Sequence, residues 1–267
     1  MITRKARLLI ACLCVSIGGS VTAQPRDDRT FSSVWLIQPG DEALGSRSVR
    51  DGEFVFKRKL LPPSLVRLTA NAVDAETDKV LVPAGTQLFG VLSAGPPIFC
   101  QVGIRDASLA RSLLIGGGNR QQCFTDMDRN GALDGHFSFG NAIKGLPNIQ
   151  GKRPKVPEKV LGGEYQVVPT DQLAHDYFVG VKYEGVIGLA RKVQTPVFSV
   201  EFGTTGSTEK LSRQIRPVKD SKPFLVSVLG AEFAVTGRKD DVIDIDVRRP
   251  IPPQPFGVVK TATYRYY

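Results

Sequence analysis

The sequence predicts an all-β protein, built as an antiparallel β-sandwich or as two small β lobes, with few short helices. Three observations carry this. Apolar and polar residues alternate with period two in several runs, the pattern that sends one set of side chains to a core and the other to water. Most of these runs end at Gly, Pro, Asn or Asp, which turn or interrupt a chain. The 27 Gly and 18 Pro leave little room for long helices.

Residues 1–23 read as a cleavable secretory signal peptide. Arg4, Lys5 and Arg7 form a positive n-region, residues 8–17 are apolar except for Ser16, and Val21 and Ala23 place small residues where a signal peptidase reads. Cleavage would leave Gln24 as the first residue. The apolar run is shorter than the roughly 20 residues that span a bilayer, so no stable membrane insertion is expected after cleavage. Residues 9–12 resemble a lipobox ending at Cys12, but the apolar stretch before that cysteine is shorter than the roughly 7–15 residues an h-region takes.

The expected domains are an N-terminal β lobe over residues 24–143, a linker or crossover loop over 144–163 and a C-terminal β lobe over 164–267. In the first lobe, residues 53–57 alternate as a strand. Residues 80–90 read as strand, turn, strand, with Gly85 supplying a positive φ. A short helical piece is expected near residues 105–114. Residues 144–163 are rich in Pro and Gly and carry Lys152, Arg153, Lys155 and Lys159. Pro lacks the ladder donor and Gly lacks a side chain to pack, so no strand is expected there. Beyond it, a second helical piece is expected at 170–175. Residues 179–183, 198–202 and 243–247 alternate as strands, and 224–229 form a denser, more buried run.

Loss of the signal removes Cys12 and Cys14 and leaves Cys100 and Cys123. An even pair of cysteines in an exported chain predicts one disulfide.

Residues 126–134 carry the one motif with evident chemistry. Asp126, Asp128, Asn130, Gly131 and Asp134 fit the pattern D-x-D-x-[DN]-G-x-x-D. Calcium takes six to eight oxygen ligands. Asp126, Asp128 and Asn130 at alternate positions can surround one centre, Gly131 permits the sharp turn, Ala132 offers its backbone carbonyl, and Asp134 binds directly or through water. The run resembles the first nine positions of an EF-hand loop. Its twelfth position is Phe137 rather than the usual Glu, and strands at 122–125 and 136–139 flank it instead of helices. It is more similar to the calcium hairpins of integrin-type repeats, in which such a loop joins two strands. That resemblance implies a structural Ca2+ and covers residues 126–134 alone.

Composition narrows the function. The net charge is +9, of which the n-region supplies three, and the remaining charges mix in sign. Without a dense basic helix or a basic-aromatic motif, no nucleic-acid partner is expected. The mild positive balance favours acidic envelope polymers. The two histidines, His136 and His175, have no partner at zinc-site spacing, and His136 reads as a surface or packing residue. His175 and Asp176 beside Tyr177 offer an acid-base pair without a nucleophile. Gly116, Gly117 and Gly118 lack the Lys-Ser/Thr of a phosphate loop. Asp244 and Asp246 share one face of a strand, the arrangement a carboxylate hydrolase would need. Residues 258–267 resemble the aromatic end of an outer-membrane barrel strand, apart from Arg265 on the face of Tyr267.

The expected function is that of a non-catalytic, calcium-stabilised binding or scaffold protein, periplasmic or secreted, with an envelope protein or polymer as partner. A secreted hydrolase of an envelope polymer and a small outer-membrane barrel are the alternatives.

Overall fold

The computed structural model describes residues 27–41, 43–103, 119–141, 145–187, 195–211, 215 and 223–258. The signal segment expected at 1–23, the helical piece expected at 105–114, the glycine run at 116–118 and residues 259–267 lie outside them.

The regular secondary structure of the described residues is almost entirely antiparallel β-strand, and the sheets do not close into a barrel. Strands are numbered along the chain. The largest sheet runs β12 (Gln150–Lys152), β1 (Thr30–Ser32), β8 (Gln87–Ser93), β9 (Ile98–Gln101), β10 (Asn119–Thr125), β11 (Gly135–Asn141), β13 (Glu158–Gly162), β6 (Ala72–Asp74) and β7 (Val80–Val82). Off this path, β14 (Tyr165–Val168) pairs with β5 (Leu65–Leu68), which joins β8 beside β1. The second sheet runs β17 (Ser207–Lys210), β16 (Thr195–Thr204), β15 (Phe178–Ile187), β4 (Phe54–Leu61), β2 (Trp35–Ile37) and β21 (Gln254–Phe256). The third runs β18 (Phe224–Val228), β19 (Ala231–Lys239), β20 (Val242–Arg249) and β3 (Gly45–Arg50).

Period-two patterning produces these faces. Along β20, Ile243, Ile245 and Val247 are buried, while Asp244 and Asp246 point the other way. β16 is different, because its polar positions are covered as well. Ser199 and Glu201 are buried there, and Ser199 Oγ and Lys182 Nζ donate to Glu184 and Glu201 at 2.8 and 3.3 Å. Burying those polar atoms without partners would cost stability, so the ion pair and the hydroxyl bond are what make the second buried face tolerable.

Aromatic side chains join the sheets. Phe233 of β19 packs against Phe56 of β4 and Phe198 of β16, with ring centroids 5.8 and 5.1 Å apart, so the second and third sheets share a core. Trp35 of β2 packs on Phe89 of β8 and on Tyr177, and its indole N–H donates to the Pro147 carbonyl at 2.8 Å. A second, smaller core of Val66, Leu68, Ala72, Val82, Leu88, Phe99, Phe124, Leu133 and Val160 draws on β5 to β10 and β13 of the first sheet.

Two expectations need correction. Residues 144–163 do hold strands: β12 pairs with β1, and β13 pairs with β11 and β6. Pro147, Pro154 and Pro157 sit outside the paired runs and bound them, while Leu146 and Ile149 anchor the segment in the main core. The halves on either side of this segment also interleave instead of forming separate lobes. β2, β3, β4 and β5 pair with β21, β20, β15 and β14. The strands expected at 80–90 exist as β7 and β8, and each pairs with other strands. The intervening turn is held by Leu68, whose N–H donates to the Thr86 carbonyl and whose carbonyl accepts the Gly85 N–H. The helical piece at 170–175 is a single 3-10 turn, Thr170–Gln172.

Candidate metal centre

Residues 126–134 are the loop of the β10–β11 hairpin, whose register runs from Asn119 opposite Asn141 to Thr125 opposite Gly135. The hairpin is fastened at its base. Cys123 of β10 lies directly across from Cys100 of β9, with Cα atoms 4.0 Å apart, and the two form a disulfide. The strands flanking the loop and the disulfide agree with the sequence reading.

The loop folds inward onto its own carboxylates. Asp126 is buried, and its carboxylate accepts the N–H groups of Asn130 and Gly131 at 3.2 and 3.1 Å. Asp128 accepts the Asn130 N–H at 3.2 Å, and Asp134 Oδ2 accepts the N–H groups of Met127 and Asp128. Gly131 has φ +88, a conformation in which a side chain would be strained although the space around it is open. The result is that Asp126, Asp128 and Asp134 each present a carboxylate oxygen within 4.8 Å of the others.

The remaining two predicted ligands are placed differently from each other. Asn130 folds back along the loop, with its amide donating to Asp128 Oδ2 at 3.0 Å and its Oδ1 accepting the Ala132 N–H at 2.8 Å. Ala132 bridges to Glu164. The bonds of that bridge come from its neighbours, Leu133 N–H to the Gly163 carbonyl and Tyr165 N–H to the Gly131 carbonyl. The Ala132 carbonyl is therefore not used by the bridge. Phe137, at the position where an EF-hand carries Glu, is a core residue of β11.

Two partners of this region were not legible in the sequence. Tyr165, 31 positions beyond Asp134 and on another strand, donates its hydroxyl to Asp126 Oδ2 at 2.7 Å. Burial, and then the Asp126 carboxylate, push its phenol well above the usual range. His136 is buried rather than on the surface, and its Nε2 meets Asp74 Oδ2 at 3.1 Å and Glu158 Oε2 at 3.2 Å. The Asp74 carboxyl is held down at about 2, chiefly by hydrogen bonds from Thr77, against a desolvation that opposes them.

The other candidates fall elsewhere. His175 stacks on Tyr177 at 5.7 Å, and Asp176 is exposed. His175 lines an open cavity of about 680 Å3 with Arg67, Gln87 and Gln101. Asp244 accepts a 2.6 Å hydrogen bond from Ser48 Oγ, and Asp246 lies 4.0 Å from Arg248. Both belong to the outward face of the third sheet. Among the described residues, no helix is long and apolar enough to cross a membrane. Compared with known proteins, the chain matches no family model, no curated protein and no solved structure.

Proposed function

We propose that this chain is an exported, non-catalytic β protein, periplasmic or secreted, that serves as a binding or scaffold component for an envelope protein or polymer. A calcium ion in the 126–134 loop braces it. The observation that carries the calcium reading is the convergence of the Asp126, Asp128 and Asp134 carboxylates within 4.8 Å. With the Ala132 carbonyl, the Asn130 side-chain oxygen and water, they make an oxygen set of the kind calcium takes.

The loop's N–H donors and Tyr165 already offset part of the repulsion among the three carboxylates, so the ion adds to a formed loop instead of creating it. Affinity is then modest, about 10⁻⁴–10⁻³ M as in extracellular modules, because no bidentate Glu closes the shell. An ion that binds only the folded chain stabilises it by about 1.4 kcal/mol at ten times its dissociation constant.

The test is thermal melting of the protein in chelator and in millimolar calcium. Calcium is expected to raise the melting temperature by several degrees, and magnesium by less, since it demands a tighter octahedral shell. Asp128→Ala is expected to remove the response and Asp244→Ala to keep it. Identical melting in chelator and calcium overturns the calcium reading. The export reading has its own test: the chain recovered from the periplasm or medium of an expressing bacterium is expected to begin at Gln24, and a full-length cytoplasmic product counts against it.

A further inference from the structure

We propose that Asp74, His136 and Glu158 form a second metal site, distinct from the 126–134 loop, that takes a divalent transition ion of the zinc class. The three residues come from adjacent strands of the first sheet, in the order β11, β13, β6. His136 and Glu158 are register partners. Asp74 is the partner of Val160, two residues beyond Glu158 and so on the same face of β13. One ligand atom from each residue lies within 4.8 Å of the other two.

The geometry at His136 Nε2 is the core of the argument. Two carboxylate oxygens approach this one nitrogen, at 3.1 and 3.2 Å. A ring nitrogen carries one proton at most, so a proton serves one carboxylate well and the other poorly. A cation among the three serves all of them. Two ligands of one tetrahedral zinc, each about 2.0–2.1 Å from it, stand about 3.3–3.4 Å apart. The observed separations are within a few tenths of an ångström of that.

The surroundings fit as well. Asp74 Oδ1 accepts the N–H groups of Glu76 and Thr77 at 3.0 and 2.9 Å, which fixes the carboxylate and leaves Oδ2 turned to the histidine. The far nitrogen of the ring, Nδ1, is 3.4 Å from the Gln122 side-chain amide. A ligated Nε2 leaves the proton on Nδ1, and Gln122 with its amide turned over presents Oε1 to accept it. That is the supporting bond a metal-bound histidine ordinarily has. His136 is 7% exposed in its side chain and Glu158 72%, so the site is rooted in the sheet and open to solvent on one side. An imidazole nitrogen is a poor ligand for calcium or magnesium and a good one for zinc, which separates this site chemically from the all-oxygen loop nearby.

The experiment uses the chelator-stripped mature protein, beginning at Gln24, and Zn2+ in millimolar calcium. Calorimetric titration is expected to show one zinc bound per chain. In histidine-selective 1H–15N spectra, His136 is expected to become the Nδ1-protonated tautomer with zinc on Nε2, while His175 stays unchanged. Glu158→Gln, a change at an exposed side chain, is expected to weaken zinc at least about tenfold, and Gln122→Ala by about 10–100-fold as a supporting partner. Asp128→Ala is expected to leave zinc affinity intact, so this result and the calcium result fail independently. The proposal is overturned if no zinc binds, if Glu158→Gln leaves the affinity unchanged, or if His136 Nε2 keeps its proton at saturating zinc. The last outcome makes the cluster a proton-bridged ion pair.

Discussion

The Tyr165 hydroxyl donates a 2.7 Å hydrogen bond to Asp126 Oδ2, fastening β14 to the first residue of the hairpin loop. The same residue holds the loop a second time, through its backbone N–H to the Gly131 carbonyl, and its ring packs on Phe99 at 4.9 Å. A nine-residue loop is thus attached to a strand distant in sequence at both ends of its turn.

Tyr165→Phe keeps the ring and removes the hydroxyl from a buried carboxylate. Hydrogen bonds to charged groups contribute about 1.5–3 kcal/mol. The lower end is expected here, because Asp126 retains the Asn130 and Gly131 N–H groups. Urea denaturation in chelator measures it. A midpoint equal to that of the unmodified chain means the bond contributes nothing to stability.

Peptide mapping without reduction is expected to recover Cys100 linked to Cys123, which the structure joins across β9 and β10. Replacing both by Ala is expected to cost about 3 kcal/mol in the chain-entropy account of a loop this long. Free thiols at both positions in unreduced, denatured protein count against the bond.

Phe233 is fully buried and touches one aromatic from each of two strands in the facing sheet. Phe233→Ala is expected to destabilise the protein by about 3–5 kcal/mol, the cost of a large cavity in a packed core. A loss under 1 kcal/mol would mean that the second and third sheets do not meet there.

Alkaline pH tests the buried phenols. Burial raises the Tyr177 pKa above its ordinary value near 10, and Tyr183 is raised for the same first reason. A raised folded value means the unfolded chain loses the proton first. The stability linked to these groups is therefore complete below about pH 10 and declines as pH rises past it. Urea midpoints between pH 8 and 11.5 are expected to fall at the upper end. Tyr177→Phe is expected to soften that fall while lowering stability throughout, since the hydroxyl donates to the Val102 carbonyl at 2.7 Å. An equal slope in both proteins removes Tyr177 from the account.

Local pattern made much of this protein legible. Alternation located β4, β15, β16 and β20 because period two is written in consecutive residues, and a short apolar run located β18. The spacing of Asp126, Asp128, Asn130 and Asp134 located a loop because all of its acidic groups lie within nine positions. The Cys100–Cys123 pair was legible because, with residues 1–23 expected to be removed, two cysteines leave one pairing. The failure at residues 144–163 has the same origin. Pro and Gly report where a ladder stops, and the reading extended the stop over the short paired runs between them.

By itself the sequence determined the all-β class, the hairpin loop with its carboxylates and the disulfide that fastens it, since each depends on neighbours in the chain or on the one partner left once residues 1–23 are set aside. Tertiary structure alone decided which strands lie side by side. It interleaved the two expected lobes, sent β7 and β8 to different partners, laid Tyr165 on Asp126 and brought Asp74 and Glu158 to His136. Those meetings depend on register across strands up to 221 residues apart, as between Trp35 and Phe256. Register is set by how whole faces bury against one another, and no window of sequence contains that information.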